Sequence, residues 1–449
     1  MIPSGLEYFF NCRSIAVVGA SDKKGKIGYD VLNNIVKAGF KGEIYPINLK
    51  TERIMGLKCY KKLTDVSGNI DLMVLIVPSK SIPAIMEQAG QKEIKAGVII
   101  SGGFREAGNL ELEQEVVNIA KKYSIRLLGP NCQGLSYTPN KLCASWPLVN
   151  TEGSIGVISQ SGTVAAQIGI WAQEEGLGVS SIVSLGNKAD VNEIDLIDYY
   201  ASDNKTEVIS LYIEGVRDGR KFIDTLKKCD KPVVILKPGR TKEGRKAVVT
   251  HTDSIAGFSE VFDGICKQYG FINAHNIREL YDFSKAFAYM KQPKGNKVLI
   301  ITSSGGSGAL ATDECIEAGL CMASLSAEVK QELKANLPSH CVINNPLDLT
   351  GDANAAMYKY IIESVAKEDI DIIYVIFGDP LPEVAEVIID LKGKIKPELA
   401  ICYLGGGEVQ RRETLKMHKQ GIPVFPTPER TAAVLKKLLN YKKKGNLHG

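Results

Sequence analysis

The same local pattern recurs three times along the chain: a short run of apolar, largely β-branched residues, a turn rich in glycine and serine, then a stretch long enough for a helix. The runs are SIAVVGA from Ser14, SIGVISQSG from Ser154 and KVLIITSSGGSG from Lys297. Strands separated by helical segments cannot pair as hairpins, so the pattern predicts βαβ units and parallel sheets with helices on both faces. After the first run come the helix-like YDVLNNIVKAGF and the strands GEIYPINLK, DLMVLIVP, AGVIISGG and IRLLGPN, a doubly wound Rossmann-like domain expected over residues 1–145. The second and third runs resemble each other through apolar strand, serine-and-glycine turn, apolar helix and EEGL or EAGL. They predict two related flavodoxin-like domains, 146–290 and 291–449, separated by the breaker-rich KQPKGNK.

At 449 residues the chain is too long for one ordinary core, which agrees with three domains. A net charge of +4 without a long basic block gives no electrostatic footprint for nucleic acid. The start, MIPSGLEYFFNCRS, has neither the basic region nor the apolar core of a secretory signal, and no apolar run approaches the roughly 18–20 residues of a membrane span. A cytoplasmic location is therefore expected. The 10 cysteines scatter singly with no C-x-x-C, so they read as reduced, buried small hydrophobes, and no metal site is expected in this chain.

In parallel α/β sheets ligands sit beyond the carboxyl ends of the strands, where helix N-termini offer amide donors to anions. Four turns occupy such places. VVGASDKKGKIG, Val17 to Gly28, fits neither G-x-G-x-x-G nor the phosphate loop of nucleotide hydrolases. The strand end PINLK offers Asn48 and Lys50 in place of the acidic residue that binds an unmodified ribose. A nicotinamide dinucleotide is disfavoured; a cofactor with phosphate near its ribose, such as coenzyme A, suits Lys26 and Lys50 better, the alternative being a plain tight turn with solvated lysines. SQSG (Ser159 to Gly162) and SSGGSG (Ser303 to Gly308) join buried strands to apolar helices and could cradle an anion, although serine is also a routine helix cap. In LLGPNCQG, Leu127 to Gly134, Cys132 has no histidine near it in sequence, which favours positioning by Asn131 and backbone over thiol chemistry.

VVTHTDSIAG, Val248 to Gly257, carries His251 in a polar setting unlike an apolar helix face. It follows PVVILKPG in the same domain as SQSG. A neutral imidazole can attack phosphorus at neutral pH, and the phosphorylated ring would be a dianion suited to helix N-termini. Its other nitrogen needs an acceptor, for which Glu214, ending the strand EVISLYIEG, is the candidate. The glycine-containing RTKEGRKAVVTHTDSIAG reads as a flexible loop able to carry the ring between two sites.

The order and spacing of SIAVVGAS, LLGPNCQG, GVISQSGTVAAQ, SLGNKAD, KPGRT, THTDSIAG, NPLDLTGDA and IPVFPTPERTAAVL resemble the α subunits of ADP-forming acyl-CoA synthetases (acetate–CoA ligase, ADP-forming), in the succinyl-CoA synthetase superfamily. The resemblance implies a coenzyme A site at Gly19, Ser21, Lys26, Asn48, Lys50, Pro78, Ser101 and Phe104, and phosphate or acyl-phosphate contacts from Asn131, Gln160, Ser161, Gly162, Asn187, Ser304, Gly305 and Gly306. It further implies a transient phosphohistidine at His251 supported by Glu214. The substrates would be acyl-CoA, phosphate and a carboxylic acid, with ADP/ATP and Mg²⁺ reaching the reaction through a separate ATP-grasp β subunit in an α2β2 assembly. The family's histidine is usually followed by Thr-Gly-Ser; here Asp253 replaces the glycine, a negative charge that would repel a phosphoryl group unless it points away. The competing expectations are a non-catalytic CoA- or acyl-CoA-binding module of the same fold and, from the sheet pattern alone, a nicotinamide oxidoreductase.

Overall fold

The computed structural model describes residues 5–252 and 259–441, with 249–252 as backbone alone. Each of the three sequence runs becomes an interior strand of its own sheet. The first sheet contains β1 (Ser14–Val18), β2 (Glu43–Ile47), β3 (Leu72–Leu75), β4 (Ala96–Ile99) and β5 (Arg126–Leu128), in the order β2-β1-β3-β4-β5, all parallel. β1, β3 and β4 are buried along their whole length, as strands covered by helices on both faces must be.

The second sheet has seven strands: β6 (Gly134–Tyr137), β7 (Leu142–Ser145), β8 (Glu152–Ser159), β9 (Val179–Ser184), β10 (Val208–Tyr212), β11 (Val233–Leu236) and β12 (Ile272–Ala274). Its parallel core runs β12-β11-β10-β8-β9, and β6 and β7 extend it as an antiparallel hairpin beyond β9. The expected cut after residue 145 thus assigns this hairpin to the first domain, whereas its strands pair in the second sheet. The turn Thr138–Asn140 with Lys141 left-handed is short enough to fold Gly134–Ser145 back on itself, and Thr138 Oγ1 donates to the Val179 carbonyl at 2.5 Å. The first two sheets belong to one compact unit.

The other unit consists of the third sheet, its helices and Glu175–Leu177, and it begins at Tyr281, inside the helix Ile277–Tyr289. Its strands are β13 (Lys297–Thr302), β14 (Cys321–Met322), β15 (Leu347–Asp348), β16 (Ile372–Phe377), β17 (Glu398–Tyr403) and β18 (Val424–Phe425), in the order β14-β13-β16-β17-β18 with β15 paired to β13. Apart from the short β15, this is the order of the parallel core of the second sheet. The repeat seen in the sequence is therefore a repeat of topology. In each sheet the chain leaves the first strand toward one edge and later crosses to its other side, which opens a crevice at that strand's carboxyl end.

Within the second unit, Lys285 is fully buried, donating to Glu175 Oε2 at 2.9 Å and to the Val424 carbonyl at 3.0 Å. His418 sits beside them. Its Nε2 accepts from the Val424 N–H at 3.0 Å, which fixes the neutral tautomer and leaves Nδ1–H to donate to the Glu175 carbonyl at 2.8 Å. Burial, reinforced by the Lys285 charge and opposed by Glu175, pushes the His418 pKa down to about 4.

Candidate active site

At the carboxyl ends of β1, β2 and β3 lies a cavity of about 570 Å³ lined by Gly19, Asn48, Lys50, Val77 and Pro78 and by residues of the helix Ile82–Gln91. Glycine is required at its floor. Gly19 has φ +88° and a Cβ there would lie 2.1 Å from the Ile76 carbonyl oxygen; a Cβ on Gly28 would lie 2.0 Å from the Gly19 oxygen. The helix α1 (Ile27–Ala38) is consequently seated directly on the strand ends, the role glycines play in dinucleotide loops, reached here with a spacing that matches no fingerprint. Asn48 Nδ2 donates to the Ala20 carbonyl at 2.7 Å and holds the two loops together. Lys61 and Lys62, which follow the ribbon Arg53–Ile54 and Leu57–Lys58, join Lys50 at the cavity.

Of the eight residues expected to hold the cofactor, Gly19, Asn48, Lys50 and Pro78 line this cavity. Ser101 supports its wall: Oγ donates to the Val77 carbonyl at 2.6 Å and accepts the Val77 N–H at 3.1 Å. Ser21 accepts from the Lys23 N–H at 3.1 Å in the exposed turn that Lys26 ends. Phe104 does not line it. Its ring is fully buried in the core of the first sheet, where an aromatic side chain contributes through packing.

A second cavity, of about 330 Å³, lies at the ends of β4, β5, β8 and β9, and the structure brings Asn131, Gln160, Ser161, Gly162 and Asn187 together there. The 13-residue helix α2 (Gly162–Glu174) starts at its wall, and the first-turn N–H groups of a helix have no partner inside it. With the dipole, they make this end a candidate anion site. Gln160 has a structural task as well: Oε1 accepts the buried N–H groups of Glu214 at 3.0 Å and Gly215 at 3.3 Å. The same turn is held by Lys188, whose Nζ donates to the Gly215 carbonyl at 2.7 Å and to Glu193 at 3.0 Å, and by Lys237, which donates to the Glu214 carbonyl at 3.3 Å. Desolvation lowers the pKa of both lysines despite nearby carboxylates. Glu214 is buried between them at 5% exposure.

Asn187 is a hub more than a ligand. Its Nδ2 donates to Glu106 at 2.6 Å and Glu113 at 2.8 Å, and its carbonyl accepts from Arg105 at 2.5 Å. Burial would raise the Glu106 carboxyl, but bonds from Asn187 and from the N–H groups of Gly103 and Phe104 outweigh it and hold it below the usual carboxylate range. Cys132 is buried, and desolvation pushes its thiol up to about 12, so the group at this cavity is the neutral thiol. That agrees with positioning by Asn131, whose N–H donates to the Ser101 carbonyl at 3.0 Å.

His251 lies in the last turn of α3 (Lys242–Thr252); its side chain, and all of Asp253, fall outside the described residues. The expected flexible loop is helical over Lys242–Thr252, because Thr241 starts it: the Thr241 carbonyl accepts from Arg245 N–H at 2.9 Å and its Oγ1 from Gly244 N–H at 3.0 Å. In the second unit, Ser304 caps the 13-residue helix α4 (Gly305–Glu317), its Oγ accepting the Ser307 N–H at 3.4 Å. Space is open around Gly306, whereas a Cβ on Gly305 would meet the Asp348 carboxylate at 2.8 Å, so an acid already stands beside this helix start. Among the described residues no group of three or more His, Cys, Asp or Glu could hold a metal ion, and no helix is long and apolar enough to cross a membrane.

A crevice at the strand ends of one doubly wound sheet and a helix-start cavity at those of a second define an α/β protein of the doubly wound class, with places for a cofactor and an anion. Comparison with known proteins finds three family models along the chain: residues 13–138 match the CoA binding domain, 152–287 the succinyl-CoA ligase like flavodoxin domain and 298–437 the ligase-CoA domain. The chain is 38% identical to the acetate–CoA ligase [ADP-forming] I subunit alpha of Pyrococcus furiosus, covering 98% of both chains. It is 39% identical to the acetate–CoA ligase [ADP-forming] of Methanocaldococcus jannaschii, covering 97% of this chain but 63% of that longer protein. Among solved structures, the dinucleotide forming acetyl-coenzyme A synthetase 1 of Ca. Korarchaeum cryptofilum, in complex with phosphate and ADP, matches with a TM-score of 0.88 and 36% identity over 97% of this chain and 96% of that one. PH0766 from Pyrococcus horikoshii matches with a TM-score of 0.88 and 34% identity over 98% and 100%. The chain belongs to the family of ADP-forming acetate–CoA ligase alpha subunits.

Proposed function

We propose that the chain is the acyl-transferring half of an ADP-forming acetate–CoA ligase. Coenzyme A occupies the cavity lined by Gly19, its phosphates near Lys50, Lys61 and Lys62. Phosphate at the start of α2 attacks the thioester carbonyl of the bound acyl-CoA; the C–S bond breaks, giving acyl phosphate and CoA thiolate, which takes up a proton. The His251 imidazole then attacks phosphorus, the carboxylate leaves, and the phosphoryl group passes to ADP. Gln160, Lys188 and Lys237 fix the turn that presents Glu214, the proposed acceptor for the second ring nitrogen.

The nucleotide and Mg²⁺ are held by a separate ATP-grasp chain, in an α2β2 assembly within the cytoplasm. This is supported by relatives named as alpha subunits and by the part of the longer M. jannaschii protein that the chain does not match. The observation that carries the reading is the convergence of Asn131, Gln160, Ser161 and Gly162 on one helix-start cavity, in a chain with a family-type coenzyme domain. Co-expression with an ATP-grasp partner should give ATP and free CoA from acetyl-CoA, phosphate, ADP and Mg²⁺, and His251→Ala should abolish ATP formation and leave only the CoA released by acyl phosphate formation. CoA binding with no thiol release and no ATP would favour the non-catalytic module instead.

A further inference from the structure

The buried lysine that steadies the Glu214 turn comes from a loop with its own anchorage. Between β9 and the helix Glu193–Ser202, residues 185–191 leave the second sheet and run along the last strand of the first. The N–H groups of Asn187, Ala189 and Val191 donate in turn to the carbonyls of Pro130, Gly129 and Leu127 at 2.9, 3.0 and 3.0 Å, so every second residue is bonded to β5 or its continuation. The approach is close enough to need glycine: Gly186 has φ +56°, and a Cβ there would lie 2.2 Å from the Pro130 oxygen. Side chains lock this ladder. Asp190 Oδ2 accepts the Leu127 N–H at 2.8 Å and Arg126 Nε at 2.9 Å, and Arg126 Nη2 donates to Asp195 at 3.3 Å.

Lys188 lies between two bonded positions of the ladder, yet its side chain turns back into the second sheet, where it is 4% exposed and ends on the Gly215 carbonyl and Glu193. Its backbone has φ +54°, a left-handed conformation that a residue with a side chain keeps only where the surroundings fix it. Arg126, Asp190 and Lys188 are not among the residues that line either cavity. This inference rests on the proposed function. We infer that Arg126 and Asp190 are positioning residues for phosphoryl transfer to His251: by clamping residues 185–191 to the first sheet, they set the point from which Lys188 holds the Gly215 carbonyl and, with it, Glu214. The place of Glu214 is thereby registered to the coenzyme-binding sheet as well as to the strands beside it. With the clamp open, Lys188 keeps Glu193 as its partner, so the turn loses its register and not its charge. A displacement of about 1 Å at a supporting group is enough to slow a reaction about a hundredfold.

The test is the rate of acid-labile phosphoryl incorporation from acetyl phosphate into the full chain with its partner present, in the wild type and in Arg126→Met, Asp190→Ala and Arg126→Lys. Arg126→Met and Asp190→Ala should lower the maximal rate about ten- to a hundredfold, with the KM for acetyl phosphate and the Kd of CoA each within about twofold of wild type. Arg126→Lys keeps the charge without the planar fork and should recover part of the rate. Hydrogen exchange at the Gly215 amide should speed up in the slow variants while the amides of β10 keep their wild-type rates. Asn140→Ala, which removes the bond to the Phe10 carbonyl at 2.8 Å, is the control for a general loss of stability and should leave the rate within about twofold. If Arg126→Met does not fold, Asp190→Ala breaks the same clamp from the other side and reads the same rate. A wild-type rate with the clamp broken, or a slow rate with Gly215 exchange unchanged, overturns the inference while leaving the proposed function standing. A wild-type protein that takes no phosphoryl group overturns both.

Discussion

Replacing Gln160 with leucine tests the reading that one side chain both lines the anion cavity and holds the Glu214 turn. Leucine nearly matches the volume of glutamine but accepts no hydrogen bond, so the N–H groups of Glu214 and Gly215, now bonded at 3.0 and 3.3 Å, lose their acceptor. An unsatisfied buried donor costs about 1–3 kcal/mol; with the longer bond counted at the low end, the two together cost about 2–4 kcal/mol. Gln160 is 8% exposed and Glu214 5%, so water cannot substitute without opening the turn. Equilibrium chemical denaturation should show that loss, and hydrogen exchange should speed up at the two amides specifically. Ser161→Ala is the control, because among the described residues the Ser161 hydroxyl meets only the Val164 N–H, at 3.5 Å, and should cost less than about 0.5 kcal/mol. A Gln160→Leu protein within about 0.5 kcal/mol of wild type, with exchange at Glu214 and Gly215 unchanged, would refute the argument.

Other perturbations have equally definite outcomes. Gly28→Ala forces a Cβ to 2.0 Å from the Gly19 carbonyl and should cost about 1–3 kcal/mol by displacing α1, with a parallel loss of CoA affinity measured by calorimetry. Lys285→Met removes the cation facing Glu175; because that carboxylate is 31% exposed and keeps its Tyr281 bond at 2.9 Å, the loss in denaturation should be about 2–3 kcal/mol, below the cost at a fully buried pair. For His418 the folded pKa of about 4 lies below the ordinary 6.5, so the unfolded chain takes up the proton first. Its contribution is complete above pH 6.5 and is lost as pH falls toward 4, a change of up to about 3 kcal/mol that His418→Gln should remove from the pH dependence of stability.

The sheet plan was legible because each central strand is a run of apolar residues closed by a glycine or serine turn, and a strand buried on both faces tolerates little else. The β6–β7 hairpin was harder to place. GLSY and LCAS read as strands, but only pairing with β9 across more than 40 residues decides which sheet receives them. Alternation along such short strands carries no information about a distant neighbour. The site was legible where one residue type serves one purpose, as at Gly19, Asn48 and the SQSG turn. It was not where function is assembled from separated loops. Lys61 and Lys62 look like solvated charges until the short ribbon brings them to the cofactor cavity. Phe104 was drawn to the coenzyme by resemblance, but the core claimed its ring. The segment before His251 looked mobile from its glycine and charges, yet lysine, arginine, glutamate and alanine are also good helix formers, and Thr241 supplies the start.

The most direct measurement is the site of phosphoryl transfer. The chain is incubated with acetyl phosphate, and with acetyl-CoA, phosphate and Mg²⁺ in the presence of its partner, then mapped by mass spectrometry under conditions that preserve acid-labile phosphate. The account predicts one phosphoryl group, on His251, absent from His251→Asn and discharged by ADP when the partner is present. A phosphoryl group on another residue, or undiminished ATP formation by His251→Asn, would contradict it.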